Sequence, residues 1–396
     1  MCRNECVQAL PHGGDWAGYE TEYGKAPLDF SMNVNPLGIS QKVRQAIAEA
    51  AQTADRYPDP LCRALIQRLA GHESVPPEWI FCGNGAADII FRLAQALKPG
   101  ETSPEHLTKP AEAAPTAEGR RPVLLITAPT FSEYEKAFAE NGWEIRRHLL
   151  KEEQGFRIGG PDTADQSTDQ SADILRAISG DVDAMFLCEP NNPTGVTTDR
   201  QLLQKILERC EETGTTLIVD ECFNGFLEDP QAHSMKGELA PGKNLVILKA
   251  FTKLYGMAGV RLGYCLCADE EVIEGLREAG APWNVSGLAQ AAGIAALEDP
   301  QHVEEGLAIV RRERPWLVKQ LEELGVGRVY GEANYLLFRW TQEADAGLDQ
   351  QLRRKGILIR NCANYPGLGR GWYRIAVRSH EENLQLIEAM RQITGR

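Results

Sequence analysis

From about residue 40 onward, short apolar runs alternate with longer polar or helix-like stretches. Val123–Ala128, Ala184–Cys188, Thr216–Val219, Leu245–Leu248 and Arg261–Cys267 are five such runs, several of them β-branched. Apolar runs of this length read as strands, and their alternation with helical segments predicts an α/β unit on a mostly parallel sheet. After about residue 275 the rhythm changes. Residues 286–324 are helix-like, short strands are predicted near 328–340, at 357–360 and at Tyr373–Val377, and a last helix covers 380–393. This second block reads as a smaller α+β unit. Residues 1–35 hold no sustained period and read as an arm crossing a surface or a neighbour. Residues 101–121, with Pro104, Pro110 and Pro115, and the polar stretch 160–172 read as surface loops.

A length of 396 residues fits two domains better than one core. The formal net charge of −14 argues against bulk binding of nucleic acid or an anionic membrane. It leaves room for a small anion held by a few arginines and backbone N–H groups. No run approaches the ~18 apolar residues of a membrane span, and the polar N-terminus lacks a signal-peptide core. A cytoplasmic protein is the expectation. Cys82, Cys188, Cys222, Cys265 and Cys267 fall in apolar runs, which suits small buried thiols. Neither Cys2 with Cys6 nor Cys265 with Cys267 has zinc-site spacing, so no metal is expected.

Four segments carry candidate chemistry. In Lys249-Ala-Phe-Thr-Lys-Leu-Tyr-Gly-Met-Ala-Gly-Val-Arg-Leu-Gly-Tyr264, Lys253 follows an apolar strand in a turn of small residues. A buried lysine amine can condense with an aldehyde, and the guanidinium of Arg261 can clamp a phosphate. A surface loop with one Lys and one Arg fits the same residues. In Thr216-Leu-Ile-Val-Asp-Glu-Cys-Phe223, Asp220 ends a buried strand. A carboxylate there needs a partner; a protonated pyridine nitrogen is one, and a helix N-cap or a metal are others. In Glu189-Pro-Asn-Asn-Pro-Thr-Gly195, Asn192 precedes a proline that holds it extended. Its amide can donate to a phenolate oxygen, or the segment is an ordinary Asn-Pro turn. In Cys82-Gly-Asn-Gly-Ala-Ala-Asp-Ile-Ile90, the N–H groups of Gly85, Ala86 and Ala87 open a helix and suit a phosphate.

In this order and combination the segments resemble the fold-type I pyridoxal-phosphate enzymes of the aspartate-aminotransferase superfamily, from about residue 28 to the end. The resemblance implies an α/β fold with a large, mostly parallel-sheet domain and a small α+β domain built from both chain ends. The divisions are then 1–40 for the arm and part of the small domain, 41–275 for the large domain and 276–396 for the small one. It implies pyridoxal 5'-phosphate bound as a Schiff base on Lys253, with Asp220 on the pyridine nitrogen, Asn192 on the ring oxygen, Phe131 stacked on the ring, and Thr252 and Arg261 near the phosphate. It also implies a homodimer in which Tyr57 reaches the phosphate of the neighbouring subunit. Two positions depart from the pattern: Phe223 stands where a tyrosine is frequent, and Ala250 where a hydroxyl is frequent.

The ends of the chain narrow the resemblance. His12-Gly-Gly14, Leu28-Asp-Phe-Ser-Met-Asn-Val-Asn-Pro-Leu-Gly38, Gly356-Ile-Leu-Ile-Arg-Asn-Cys-Ala-Asn-Tyr-Pro-Gly-Leu368 and Tyr373-Arg-Ile-Ala-Val-Arg-Ser379 resemble the threonine-phosphate decarboxylases of the cobalamin pathway. These are near relatives of the histidinol-phosphate aminotransferases, which remain the alternative. The substrate so implied, L-threonine O-3-phosphate, carries two anionic groups on a short skeleton. Arg360 and Arg374 are its implied anchors, with His12, Gly13, Asn33 and Asn192 completing the pocket and Arg378 as a further candidate.

Overall fold

The computed structural model describes residues 12–98, 120–159, 170–341 and 347–395. Residues 101–119 of one expected loop, 160–169 of the other, and Cys2 and Cys6 lie outside these residues, while residues 170–172, expected in the second loop, begin the helix Gln170–Ala177. Thirteen strands occur among the described residues. In chain order they are β1 (Leu28–Asp29), β2 (Ile80–Gly83), β3 (Val123–Ala128), β4 (Glu144–Leu149), β5 (Ala184–Cys188), β6 (Thr216–Asp220), β7 (Leu245–Ala250), β8 (Gly263–Cys267), β9 (Val329–Tyr330), β10 (Tyr335–Arg339), β11 (Ile357–Leu358), β12 (Arg360–Asn361) and β13 (Trp372–Ala376).

The central sheet has the order β2-β8-β7-β6-β5-β3-β4. Strand β8 runs antiparallel to both neighbours, and the other pairings are parallel. Side chains of alternate parity enter two cores. Met185, Leu187, Leu217 and Val219 join one, while Ala184, Phe186, Cys188 and Ile218 join the other. Both faces are therefore covered, which is why these strands read as unbroken apolar runs. The expected strand at Arg261 begins two residues later, because Arg261 has φ 61° and turns the chain before Gly263 enters the sheet.

A four-stranded antiparallel sheet, β12-β13-β10-β9, forms the second layer system. The N-terminal strand β1 pairs in parallel with β11, Leu28 opposite Ile357 and Asp29 opposite Leu358. Phe30 packs in the same core as Leu317, Leu336, Ile375 and Leu386. The helix-like block at 286–324 is two helices, Gly287–Leu297 and Pro300–Glu323. Pro300 lacks an N–H and fits a first helical turn, so the second helix restarts there. The first lies beyond the boundary expected at 276, yet Ala289, Ala292 and Ala296 pack into the core of the central sheet.

Two elements escape the sequence pattern. Trp16–Tyr23 is helical, with only Tyr19 buried, so it shows no apolar stripe. Strand β4, Glu-Ile-Arg-Arg-His-Leu, is largely polar and holds the sheet edge by pairing with β3. Charges on an edge strand discourage pairing with another chain. No helix among the described residues is long and apolar enough to cross a membrane.

Candidate active site

The carboxyl ends of β3, β5, β6 and β7 open onto one cavity of about 260 Å³, the customary position for ligands of open parallel sheets. The segments that follow these strands supply its walls. Phe131 comes after β3, Asn192 after β5, Asp220 from the last position of β6, and Thr252 and Lys253 after β7. Ala86, Ala87 and Arg261 close one end; His12, Gly13, Asn33, Arg360 and Arg374 line the other.

Lys253 sits on a short helix, Phe251–Leu254, that starts where β7 stops. Asn35 fastens this turn: its N–H donates to the Lys253 carbonyl at 2.8 Å and its Nδ2 to the Leu254 carbonyl at 2.9 Å. Burial, and then the charges of Arg374 and Arg261, push the Lys253 amine down to about 8. Its Nζ lies 5.3 Å from the centre of the Phe223 ring. An ammonium here is costly, and a neutral amine is the nucleophilic form.

Asp220 is 6 % exposed. One carboxylate oxygen accepts the Cys222 N–H at 2.9 Å and the other accepts the Tyr134 hydroxyl at 2.6 Å. Asn192 turns its carbonyl oxygen to the guanidinium of Arg374, so its NH2 end is left to serve the cavity.

At the Arg261 end, Gly85 caps the helix Ala86–Ala96 with φ 82°. A Cβ on Gly85 would come within 2.5 Å of an Arg261 guanidinium nitrogen, so only glycine lets the arginine close on this helix start. First-turn N–H groups of a helix have no partner within it, and together with the guanidinium they form an anion cradle. A Cβ on Gly263 would meet the Ala86 nitrogen at 2.5 Å, which keeps β8 flush against the same turn.

The far wall holds two buried guanidiniums. Arg374, on β13, donates to the Ser31 carbonyl at 2.9 Å, while its Nε is buried with no protein partner. Arg360, on β12, donates to Asn364 at 2.8 Å and lies 5.2 Å from the centre of the Tyr365 ring. Register places Arg360 directly opposite Arg374. Asn33 is 2 % exposed and its Oδ1 also has no protein partner. His12 pairs with Glu133 at 2.6 Å, and its ring lies 5.6 Å from that of Phe131. Gly14 N–H donates to the Ser31 hydroxyl at 2.8 Å, tying the arm to the cavity rim.

Three candidates stand outside the cavity: Gly85, Arg378 and Tyr57. The Gly85 N–H, expected to face a phosphate, instead donates to the Gly83 carbonyl at 2.8 Å as the chain turns into the helix, which leaves Ala86 and Ala87 at the cavity. Arg378 donates to Glu382 at 2.6 Å and to the Asp29 carbonyl at 3.0 Å, which is a structural tie beside the helix His380–Thr394. Tyr57 is 82 % exposed and packs on Trp283, with ring centres 4.8 Å apart. Conversely, Ser31, Tyr134 and Tyr365 line the cavity without having been singled out. Ser31 and Tyr365 stood within quoted motifs and Tyr134 three residues after Phe131, but no local pattern distinguishes a lining side chain from a core one.

The donor set fits pyridoxal 5'-phosphate. An amine poised near neutrality, a buried carboxylate, an aromatic wall and an anion cradle at a helix start match its aldehyde, pyridine nitrogen, ring and phosphate. The orphaned polar atoms of Arg374 and Asn33 sit on the side left for a substrate.

Comparison with known proteins agrees. The family model for aminotransferase class I and II matches residues 25–390. The chain is 38% identical to a threonine-phosphate decarboxylase of Salmonella typhimurium, over 96% of both chains. It is 32% identical to a histidinol-phosphate aminotransferase of Symbiobacterium thermophilum, over 93% of this chain and 91% of the relative. Among solved structures, the histidinol-phosphate aminotransferase of Sinorhizobium meliloti in complex with pyridoxal-5'-phosphate superposes with a TM-score of 0.77 at 20% identity, over 98% of this chain and 96% of that one. Fold, cavity and sequence thus converge, and the chain belongs to the aminotransferase class I and II family.

Proposed function

We propose that this chain is a pyridoxal-phosphate-dependent decarboxylase of L-threonine O-3-phosphate, releasing CO2 and leaving (R)-1-amino-2-propanol O-2-phosphate, the linker of the cobalamin nucleotide loop. The observation that carries this choice over transamination is the 38% identity, across 96% of both chains, with a relative named for that activity. Two buried arginines facing each other across β12 and β13 agree with a small substrate bearing two anions.

When bound, pyridoxal phosphate supplies an electron sink for the bond broken at the substrate α-carbon. Lys253 would offer the amine for its aldehyde, and the same amine is a base or acid placed to return a proton to the substrate α-carbon. Asp220 holds the proton at the pyridine nitrogen. Asn192 would donate to the ring oxygen, Phe131 would cover the ring, and Thr252, Arg261 and the N–H groups of Ala86 and Ala87 would hold the phosphate. Arg360 and Arg374 bind the substrate's carboxylate and phosphate, with His12, the backbone at Gly13, and Asn33 around them. Holding both anions fixes which bond at the α-carbon is presented for cleavage, a use of binding energy remote from the reacting bond.

An arm at 1–40, a large domain at 41–275 and a small one at 276–396 go with this reading, except that the helix Gly287–Leu297 packs on the large domain's core. A homodimer goes with it too, in which the exposed Tyr57 of each copy reaches the partner's cofactor phosphate. The decisive experiment supplies threonine phosphate with no oxo acid and measures CO2. Product formed only after 2-oxoglutarate is added would replace the decarboxylase with an aminotransferase, histidinol phosphate being the first substrate to try.

A further inference from the structure

Tyr134 has no place in the roles assigned above, yet it touches the one carboxylate on which the cofactor's electronics depend. It lies on the helix Ser132–Glu140, three residues after Phe131, and is 1 % exposed. Its ring stacks on Phe186 at 3.9 Å between centres and meets the Phe131 ring edge-on at 5.5 Å. Its hydroxyl donates to Asp220 at 2.6 Å. Burial, reinforced by the neighbouring Asp220, pushes the hydroxyl's pKa well above its ordinary value, so it remains a phenol and a donor.

The geometry points to Tyr134 as a positioning residue that holds Asp220 in its ionised, ring-facing state and thereby keeps the bound cofactor's pyridine nitrogen protonated. Asp220 receives the Cys222 N–H on one oxygen and Tyr134 on the other. Both oxygens thus receive hydrogen bonds, and bonds received by a carboxylate favour its charged form over the protonated one. With both donors in place the carboxylate is purely an acceptor, and the proton shared with a pyridine nitrogen stays on the nitrogen. A charge-assisted bond of this kind is about twice as strong as a neutral one. The two aromatic contacts fix the phenol's direction, so the bond does not depend on the substrate.

This assignment rests on the cofactor reading, and the test separates the two. The protein is loaded with pyridoxal phosphate carrying 15N in the ring, and the 15N resonance and the cofactor dissociation constant are measured for wild type, Tyr134→Phe and Phe186→Leu. If wild type takes up no cofactor, the cofactor reading itself fails. The expected result is a protonated ring nitrogen in wild type. In Tyr134→Phe the signal moves toward the unprotonated position, and cofactor affinity falls on the order of tenfold, the scale of one hydrogen bond to a charged group. Phe186→Leu disturbs the same packing while retaining the hydroxyl, and is expected to lower thermal stability with the 15N signal unmoved. An unchanged signal in Tyr134→Phe, even with affinity lost, would make Tyr134 a packing residue only. An equal shift in both variants would likewise overturn the assignment.

Discussion

At the scale of single residues, the site is a set of groups whose ordinary chemistry is altered by where the fold puts them. Lys253 is the clearest case. Desolvation raises the cost of its charged form, and two guanidiniums add to that cost, so the amine titrates at about 8 instead of about 10.4. Only the neutral amine attacks an aldehyde. The rate of cofactor uptake by the apo-protein should therefore climb about tenfold per pH unit below this value and level off above it. Rapid mixing between pH 6 and 10 reads this directly, and a plateau reached only near pH 10 would contradict it. Arg360 belongs to the other side of the cavity. It is 8 % exposed and lies on β12, away from the phosphate cradle. Arg360→Ala should raise KM for threonine phosphate by on the order of a hundredfold, since removing one partner of a buried charge pair costs several kcal/mol. Cofactor affinity should change little, and equal loss of both would remove Arg360 from the substrate wall.

Elements set the direction of these groups. Strands β3, β5, β6 and β7 run parallel, so their following segments emerge at one edge and deliver Phe131, Asn192, Asp220 and Lys253 to a single cavity. The proposed phosphate cradle joins a helix start, a glycine with positive φ and an arginine at φ 61°, the last an unfavoured backbone state for a side-chain-bearing residue. Away from the site, the helix His380–Thr394 begins with a capping box in which Ser379 and Glu382 satisfy each other's backbone N–H groups. Ser379→Ala should cost about 1 kcal/mol, visible as a lower unfolding midpoint in urea. Turnover per folded molecule should be unchanged, because the helix packs in the small core and lines no part of the cavity.

At the scale of the whole molecule, two sheets and an N-terminal strand meet around the cavity. Phe223 and Phe226, after β6, pack with Leu307 and Val310 of the long helix, with Ala333 in the turn before β10 and with Tyr335 of the small sheet. The wall bearing Arg360 and Arg374 is thereby held against the wall bearing Asp220 and Lys253. The central sheet is the keystone of both faces. Ile218, on β6, is fully buried and has polar or charged groups nowhere in its core cluster except the Tyr134 hydroxyl, the Trp143 indole N–H and the Cys thiols. Ile218→Ala should destabilise the protein by about 2–5 kcal/mol through lost burial and the remaining cavity. Thermal unfolding checks this, and a loss below about 1 kcal/mol would mean that the sheet repacks around the gap.

The apolar runs determined by themselves that a mostly parallel sheet would form, because both its faces are buried and each strand must then be apolar along its whole length. Motif order likewise made Lys253, Asp220, Asn192 and Arg261 legible as candidates: Asp220 ends β6, Asn192 and Lys253 follow β5 and β7, and Arg261 precedes β8. The polar edge strand β4 and the helix Trp16–Tyr23 were not legible, as neighbours rather than their own pattern hold them. The roles of Tyr134, Asn35 and Ser31 were decided only by tertiary structure. A phenol, an amide and a hydroxyl look alike in sequence whether they face a core, solvent or a cavity, and it is the convergence of strand ends distant in the chain that gives them their partners.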